Sequence, residues 1–366
     1  MKGVVSKVAI VEFGEDVQES FEQALRLIGK IDDLNTTERP VAIKVGVFNH
    51  RTETHSTVSV VNAIIKSFNK APQIFLAESD NYKGKGSERL QIWKELFTQR
   101  VVPFNLSEDK NTRKVKIADE EICFSHVPFK PNVLISTHVL RTFEKGSILK
   151  NLLGLIPDAK KARFHKKLET ALLDTYEAIG GIDLAVLDGT YTYRGAGASP
   201  HAGSGNTGYR VKTNVLLVGR DAIAVETVGA ALVGLDPEKM PVIQEAMNRD
   251  LGEGDIEKIE IVGTSFESLK ERFASVATTR KELRTRQRGP QTWGGHSYNA
   301  LESLIQEGFF KLANKRTRED VAKALESRGI ATEGKEGRIA NSLSRRVKKG
   351  VLKAAKGADG WVYWTE

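Results

Sequence analysis

Over roughly its first 265 residues the chain alternates two kinds of apolar pattern. Short aliphatic runs without a polar face suit strands buried on both sides. Longer segments, with apolar positions recurring every third or fourth residue, suit amphipathic helices. "SKVAIVEF", "RPVAIKVGVF", "PQIFLAES", "NVLIST", "IDLAVLDG", "TNVLLVG" and "IEKIEIVG" read as strands. "VQESFEQALRLIGKI", "STVSVVNAIIKSFNK", "ERLQIWKELFTQR", "SILKNLLGLI", "HKKLETALLDTYEAIG", "DAIAVETVGAALVG" and "PVIQEAMNRD" read as helices, and "KVKIADEEICF" as a polar edge pair of strands. The alternation predicts an α/β fold: a mainly parallel, Rossmann-like sheet with helices on both faces. Ligands of such sheets gather beyond the carboxyl ends of the strands. Asn49, His50, Glu78, Asp80, His138 and Asp188 stand at such ends.

The pattern weakens from Ser265 to Tyr298. "TTRKELRTRQRGPQTWGGHS" is basic and carries Gly289-Pro290 and Gly294-Gly295, which reads as a linker with a short helix at its start. Then "NALESLIQEGFFKLAN" sets Leu301, Leu304, Ile305 and Leu312 on one side of a helix. "TREDVAKALESRGI" opens on Thr317 as N-cap with Asp320 three residues on, and Gly329 closes it. "KEGRIANSLSRRVKKG" is a third helix ending at Gly350, and "VLKAAKGADGWVYW" a hairpin. Three helices and a hairpin follow the order of a winged helix-turn-helix. The predicted organisation is therefore an α/β core over 1–264, a basic linker over 265–298 and a small winged-helix unit over 299–366.

Charge sharpens this division. From Lys270 to Glu366 there are 21 Lys and Arg against 11 Asp and Glu, whereas the preceding residues hold 34 against 36. The basicity belongs to the last quarter of the chain and points to a polyanionic partner there. At 100° per residue, Arg338, Asn341, Ser342, Arg345, Arg346 and Lys349 share one arc of the third helix, opposite Ile339, Ala340, Leu343 and Val347. Such a face suits contact with phosphates and base edges of DNA or RNA. Lys353 and Lys356 flank the hairpin, and Asp359 at its tip is mildly repulsive to a polyanion. The alternatives for this unit are protein contact or a structural cap.

The single cysteine, Cys123, excludes an internal disulfide, a four-cysteine zinc site and a cysteine-ligated iron–sulfur cluster. Its alternating run predicts a half-buried, unreactive thiol. No stretch reaches the ~20 apolar residues of a membrane span, and "MKGVVSKVAIVEFGEDVQES" turns charged too early for a secretory signal. The expectation is a cytoplasmic protein with no membrane partner; a homo-oligomer is left open.

Within the core, "SILKNLLGLIP" is unusual. Lys150, Asn151 and Gly154 fill one arc of about 100° between Ile148, Leu149, Leu152, Leu153, Leu155 and Ile156. A glycine within a helix costs about 1 kcal/mol relative to alanine, and here it leaves room for an approaching ligand or for a packed helix or strand. "PNVLISTHVLRTF" followed by "GSILKNLLG" resembles the signature of the family catalogued as domain of unknown function 362 (DUF362). In that family a strand leads to a Lys-Thr-His-like segment and a Lys-Asn helix. "VAIKVGV" with the helix started by Thr57, "LAES", "LAVLDGT", "LLVGRDAIAVETVGAALVG" and "IEIVG" follow in family order, so the resemblance covers about residues 5–263. The chain departs from the pattern at Arg141-Thr142-Phe143 and at Gly46, and it lacks the cysteine-rich segments of many relatives.

The resemblance implies positions of interest at Lys44, Glu78, Ser79, Lys150, Asn151, His165, Asp188, Gly189 and Asp221, with a second acid at Glu226. Lys44 lies in an apolar strand, and a buried lysine needs an anionic partner. Glu78 can supply it, bind metal or act as a general base. Lys150 and Asn151 suit a carboxylate or phosphate. Lys44, Ser79, His138, Gly189 and Asp221 complete the candidate ligand set. Glu78, His165 and Asp188 are the candidate proton-transfer groups. A divalent metal is left open: His50 and His55 with Glu53 have metal-like spacing but fall in a loop. "GTYTYRGAGASPHAGSGNTGY" lacks the phosphate-loop pattern and reads as a lid or long hairpin loop bringing Arg194 and His201 toward the pocket. Three functions fit: a ligand-responsive nucleic-acid binder, an enzyme on an anionic metabolite, and a ribosome- or RNA-associated factor.

Overall fold

Seven predicted strands and one unforeseen strand join a single sheet. The computed structural model describes residues 5–49, 54–194, 210–273, 295–334, 336–357 and 360–365. The described residues form two compact units, one from the stretch up to Phe273 and one from Gly295 onward. In the first, β1 (Lys7–Glu12), β2 (Val41–Val45), β3 (Ile74–Glu78), β4 (Val101–Asn105), β7 (Val133–Thr142), β8 (Leu184–Arg194), β9 (Arg210–Gly219) and β10 (Glu260–Gly263) run in the order β10-β1-β9-β8-β7-β2-β3-β4. Only β9 is antiparallel to its neighbours. The sheet is thus mostly parallel, as predicted. The unforeseen strand is β4, "VVPFN", which carries Pro103 and sits at the sheet edge, where a missing N–H donor is tolerated.

The continuous apolar runs arise because both faces are covered. Successive strand residues point to opposite faces. Val8, Ile10, Leu134, Ala185, Leu187, Val215 and Leu217 pack on one side. Ala9, Val11, Ile43, Ile135, Val186, Leu216 and Val218 pack on the other. The second face is covered by α1 (Val17–Leu27) and α2 (Val58–Ser67). The first carries α4 (Ile148–Asn151), α5 (Leu168–Ala178), α6 (Ala222–Leu232) and α7 (Pro241–Asn248). Between β3 and β4 the single helix predicted for "ERLQIWKELFTQR" divides into α3 (Gly86–Leu90) and a 3-10 turn, Gln91–Leu96, broken at Trp93. "SILKNLLGLI" likewise passes from α4 into a 3-10 turn, Leu152–Gly154.

β5 (Thr112–Ile117) and β6 (Glu120–Ser125) form the expected separate polar ribbon. Ile122 and Phe124 face the core, so period two turns Cys123 outward, and it is exposed rather than half-buried. The start of the expected linker is helical, and α8 (266–273) buries Leu269 and Phe273 in the core of the first unit. Residues 274–294, with Gly289-Pro290, lie outside the described residues, as do His50, Glu53, His201, Asp359 and the side chain of Arg194.

The second unit contains α9 (Gly295–Gln306), α10 (Arg318–Glu326), α11 (Glu336–Lys348) and the hairpin β11 (Lys353–Gly357) with β12 (Gly360–Trp364). Thr317 and Asp320 make the reciprocal cap predicted for α10. Leu301, Leu304, Phe310, Val321, Leu325, Ile339, Leu343 and Tyr363 form its own core. No described helix is long and apolar enough to cross a membrane.

Candidate functional site

The strand order reverses between β2 and β7: β2-β3-β4 runs one way and β7-β8-β9 the other. In open α/β sheets the crevice at the carboxyl side of such a reversal is where ligands bind. Lys44 is one residue from the end of β2, Glu78 ends β3, and His138 and Arg141 lie in the last half of β7.

Lys44 is 1% exposed, and its Nζ donates to Glu78 Oε2 at 2.9 Å, Asn151 Oδ1 at 2.8 Å and the Val45 carbonyl at 2.8 Å. Each ammonium hydrogen therefore has an acceptor. Burial pulls the Lys44 pKa down, and the Glu78 carboxylate only partly offsets this. Asn151 Nδ2 lies 3.1 Å from the Lys44 carbonyl, 3.2 Å from Ser136 Oγ and 3.2 Å from the Thr137 carbonyl, tying α4 to both strands at the reversal. Arg89, from α3, is also buried, with Nη1 3.5 Å from Glu78 Oε2. The same guanidinium donates to the carbonyls of Val47 and Ser79, fixing the ends of β2 and β3 together.

This network explains Gly154. A Cβ there would lie 2.5 Å from Lys44 Cε and 2.9 Å from Glu78 Oε1. The gap in the polar arc of "SILKNLLGLIP" is thus filled by the protein's own lysine. Gly46 is fixed in the same way, since a Cβ would lie 2.6 Å from His138 Cδ2. That contact accounts for a glycine at this position.

Beside this network lie cations that make no ion pair among the described residues. Lys161, from the 3-10 turn Lys161–Lys167, is 7% exposed and donates to Ser79 Oγ at 2.5 Å. Burial, opposed by Glu78 but assisted by Lys44, Arg89 and Lys150, brings its pKa down to about 7. Lys150 is half-buried and has no hydrogen-bond or ion-pair partner among the described residues. Burial and the charges of Arg141 and Lys145 bring it, too, down to about 7. His138 is held well below the usual histidine range by burial, then by Arg141, Lys44 and Lys150, so its ring is neutral. Arg141 sits over the Phe143 ring at 4.9 Å and donates to the Gly146 carbonyl at 2.9 Å, while its Nε is buried without a partner. Burial lowers the Arg141 pKa to about 10, against the attraction of Glu226.

The other predicted positions are engaged elsewhere. Asp188 is fully buried: Oδ2 accepts from Thr57 N at 2.6 Å and Thr57 Oγ1 at 2.7 Å, and Oδ1 from Thr190 N at 2.9 Å and Thr190 Oγ1 at 2.6 Å. It anchors Thr57, the N-cap of α2, and with four donors on its two oxygens has no free lone pair for proton transfer. Gly189 permits the close approach of β8 and β9, since a Cβ would meet the Val215 carbonyl at 2.6 Å. Asp221 caps α6 and holds Ser6 Oγ at 2.6 Å and Glu253 N at 2.8 Å. Ser79 Oγ lies 2.5 Å from the Gly154 carbonyl and 2.9 Å from that of Ile156. His165 is exposed, its Nδ1 2.9 Å from the Ala162 carbonyl, and is not brought into the cluster. His55 Nδ1 faces the Ser56 carbonyl at 3.1 Å, and among the described residues no group of three or more His, Cys, Asp or Glu is placed to hold a metal ion.

Arg89 and Lys161, unmarked by the sequence pattern, join the cluster, as does Arg141, which stood out only as a departure from the family pattern. Glu226, noted only as a second family acid, is 2% exposed and accepts from Ser147 N and Leu149 N at 2.8 Å, securing the start of α4. Its burial raises its pKa. In the second unit, Arg338, Asn341, Arg345 and Lys349 are exposed and Ser342 is half-buried. Arg346 departs from the predicted face: it is 4% exposed, and its Nη2 donates to Glu302 Oε1 at 2.8 Å.

Fold and site together define a mostly parallel α/β protein with a cation-rich cluster where the strand order reverses. The family model described as "Domain of unknown function (DUF362)" matches residues 41–231, more than half of the 366, and the chain belongs to that family. The matched segment runs from β2 into α6 and includes Lys44, Glu78, Lys150, Asn151 and Lys161. No curated protein and no solved structure matches the chain.

Proposed function

We propose that the α/β unit binds a small carboxylate or phosphate at the carboxyl ends of β2, β3 and β7, and that the C-terminal unit binds nucleic acid. One observation carries the first half: Lys150 and Lys161 are buried or half-buried without a carboxylate partner, beside acids already used by Lys44, Arg89 and helix termini. A buried ammonium without a counter-charge is unstable, and an anion between these lysines removes that penalty. Lys44, Glu78, Asn151 and Arg89 are the scaffold, and Lys150 and Lys161 are the ligand contacts. Isothermal calorimetry with sulfate tests this. Lys150→Ala and Lys161→Ala should each weaken binding roughly tenfold or more, the loss of one charge-assisted hydrogen bond. Unchanged affinity in both variants overturns the assignment.

The second half rests on charge and order. The order α9, an isolated bridge at Arg316, α10, α11 and then the hairpin, with Arg316 bonded to Tyr363, supports reading this unit as a winged helix. The exposed Arg338, Arg345 and Lys349 supply the proposed cationic face, with Asn341 as a hydrogen-bonding group beside them. Duplex DNA binding by the full chain, followed by fluorescence anisotropy, should fall steeply with salt, and more gently in an Arg338→Ala/Arg345→Ala variant, since each lost phosphate contact reduces the log–log slope by about 0.9. A salt-insensitive affinity, or no change in the variant, rejects this half. In the ligand-responsive form, sulfate and DNA alter one another's affinity by the same factor.

A further inference from the structure

In the α/β unit, the only large aromatic side chains exposed among the described residues are Phe48, 38% exposed, and Tyr82, 65% exposed. Both stand on the loops that leave the strands of the cationic cluster. Phe48 is three residues beyond Val45, whose carbonyl receives Lys44, and Tyr82 is three beyond Ser79, whose hydroxyl receives Lys161. The two rings meet edge to face, their centroids 5.6 Å apart.

Neither ring is on a loosely held segment. Asn81 Nδ2 donates to the Phe48 carbonyl at 3.1 Å, joining the loops directly. Arg89 fixes the backbone just before each of them, at Val47 and Ser79. Asn81 and Gly84 exchange two backbone hydrogen bonds of 3.1 Å, closing a tight turn that presents Tyr82 at its tip. Lys83 Nζ lies 4.9 Å from the centroid of the Tyr82 ring and adds positive charge at the rim. A rigid turn that projects an aromatic ring toward solvent forgoes apolar burial, which a ring-bearing ligand would restore.

Resting on the anion-binding reading above, we propose that the ligand is a phosphate monoester bearing a planar ring. The phosphate meets Lys150 and Lys161, and the ring stacks on the platform of Phe48 and Tyr82. Two lysines without an ion-pair partner suit the charge of −1.5 to −2 of a phosphate monoester better than the single charge of a carboxylate. A planar heteroaromatic ring of the nucleoside kind matches the more exposed Tyr82 ring, braced edge to face by Phe48 on fixed backbone.

Calorimetry on the full chain with three probes tests this: ribose 5-phosphate, phenyl phosphate and adenosine 5′-monophosphate. The two ring-bearing phosphates should bind roughly tenfold more tightly than ribose 5-phosphate, the usual scale of a stacking gain. Phe48→Ala and Tyr82→Ala should erase that preference and leave ribose 5-phosphate binding unchanged, since both side chains are exposed and neither touches a lysine contact. Equal binding of all three phosphates, or a ring preference that survives both substitutions, overturns the stacking platform while the anion site stands. Failure of all three to bind overturns the anion site and the platform together.

Discussion

Gly154→Ala isolates the packing logic of the core. The added methyl would sit 2.5 Å from Lys44 Cε and 2.7 Å from its Nζ. Carbon atoms pack at about 3.5–4.0 Å, so the lysine head must retreat by on the order of 1 Å. That breaks at least one of three hydrogen bonds now at 2.8–2.9 Å. A charge-assisted hydrogen bond lost in the interior costs about 1.5–3 kcal/mol, and an overpacked methyl about 1–3 kcal/mol. The expected destabilisation is therefore roughly 3–5 kcal/mol, near that of breaking a buried ion pair outright. Urea denaturation of wild type, Gly154→Ala, Lys44→Ala and the double variant reads it as a cycle. With Lys44 truncated the methyl loses both lysine clashes and keeps only the contact at 2.9 Å with Glu78 Oε1, so the double variant should lose clearly less than the sum of the two single changes, a coupling of about 2–3 kcal/mol. Additive losses would refute the view that glycine is present to admit this lysine.

Other substitutions separate scaffold from binding contacts. Lys150→Met should stabilise the ligand-free protein. Bringing a lysine from 10.5 to about 7 corresponds to at most on the order of 5 kcal/mol, reduced by the partial exposure of the chain to roughly 1–3 kcal/mol. Because the folded-state pKa is depressed, the penalty of the charged form is complete below pH 7 and fades toward pH 10.5. The gain in melting temperature should therefore shrink as pH rises through that window, and a gain independent of pH would contradict the cause. Asp188→Ala should lower stability by about 2–4 kcal/mol by freeing Thr57 and Thr190, seen as faster amide exchange at the start of α2. In the C-terminal unit, Arg346→Ala should destabilise by about 2–4 kcal/mol because Glu302 loses its partner, whereas Arg338→Ala should stay within about 0.5 kcal/mol. Equal effects in thermal denaturation would dispose of that distinction.

Much of the fold was legible because the period of the apolar pattern is a physical constraint. Runs such as "VAIKV" and "LAVLD" have no polar face because both sides of the sheet are covered. β4 escaped because "VVPFN" contains proline, and only its edge position makes that harmless. Helix limits failed where side-chain demands overrode propensity. α4 tightens into a 3-10 turn where Gly154 meets Lys44, and the segment before β4 breaks at the buried Trp93. In the site, Lys44 with Glu78 was legible, since a lysine in an aliphatic strand requires an acid. Asp188 and Asp221 were visible as polar residues near strand ends, but local sequence does not reveal that neighbouring backbone N–H groups use their lone pairs. Lys161 and Arg89 were hidden for the opposite reason. Each is one of several charged residues in its segment, and only the tertiary path decides which one turns inward. The same holds for Arg346, which a helical wheel groups with Arg345 and which Glu302 draws into the unit.

The central claim, an anion held between two lysines of depressed pKa, is tested most directly by sulfate affinity as a function of pH. Sulfate keeps its charge across the range, so any pH dependence belongs to the protein. In the free protein Lys150 and Lys161 are charged below about pH 7 and become neutral above it. A bound anion favours the charged form, so binding above pH 7 must take up protons. Calorimetry should show an affinity that is level below pH 6.5 and falls by up to tenfold per pH unit per lysine above it. Proton uptake should appear as a dependence of the heat on buffer. The Lys150→Met/Lys161→Met variant should lose both binding and slope. A sulfate affinity unchanged between pH 6 and 9, or retained by that variant, would contradict the account.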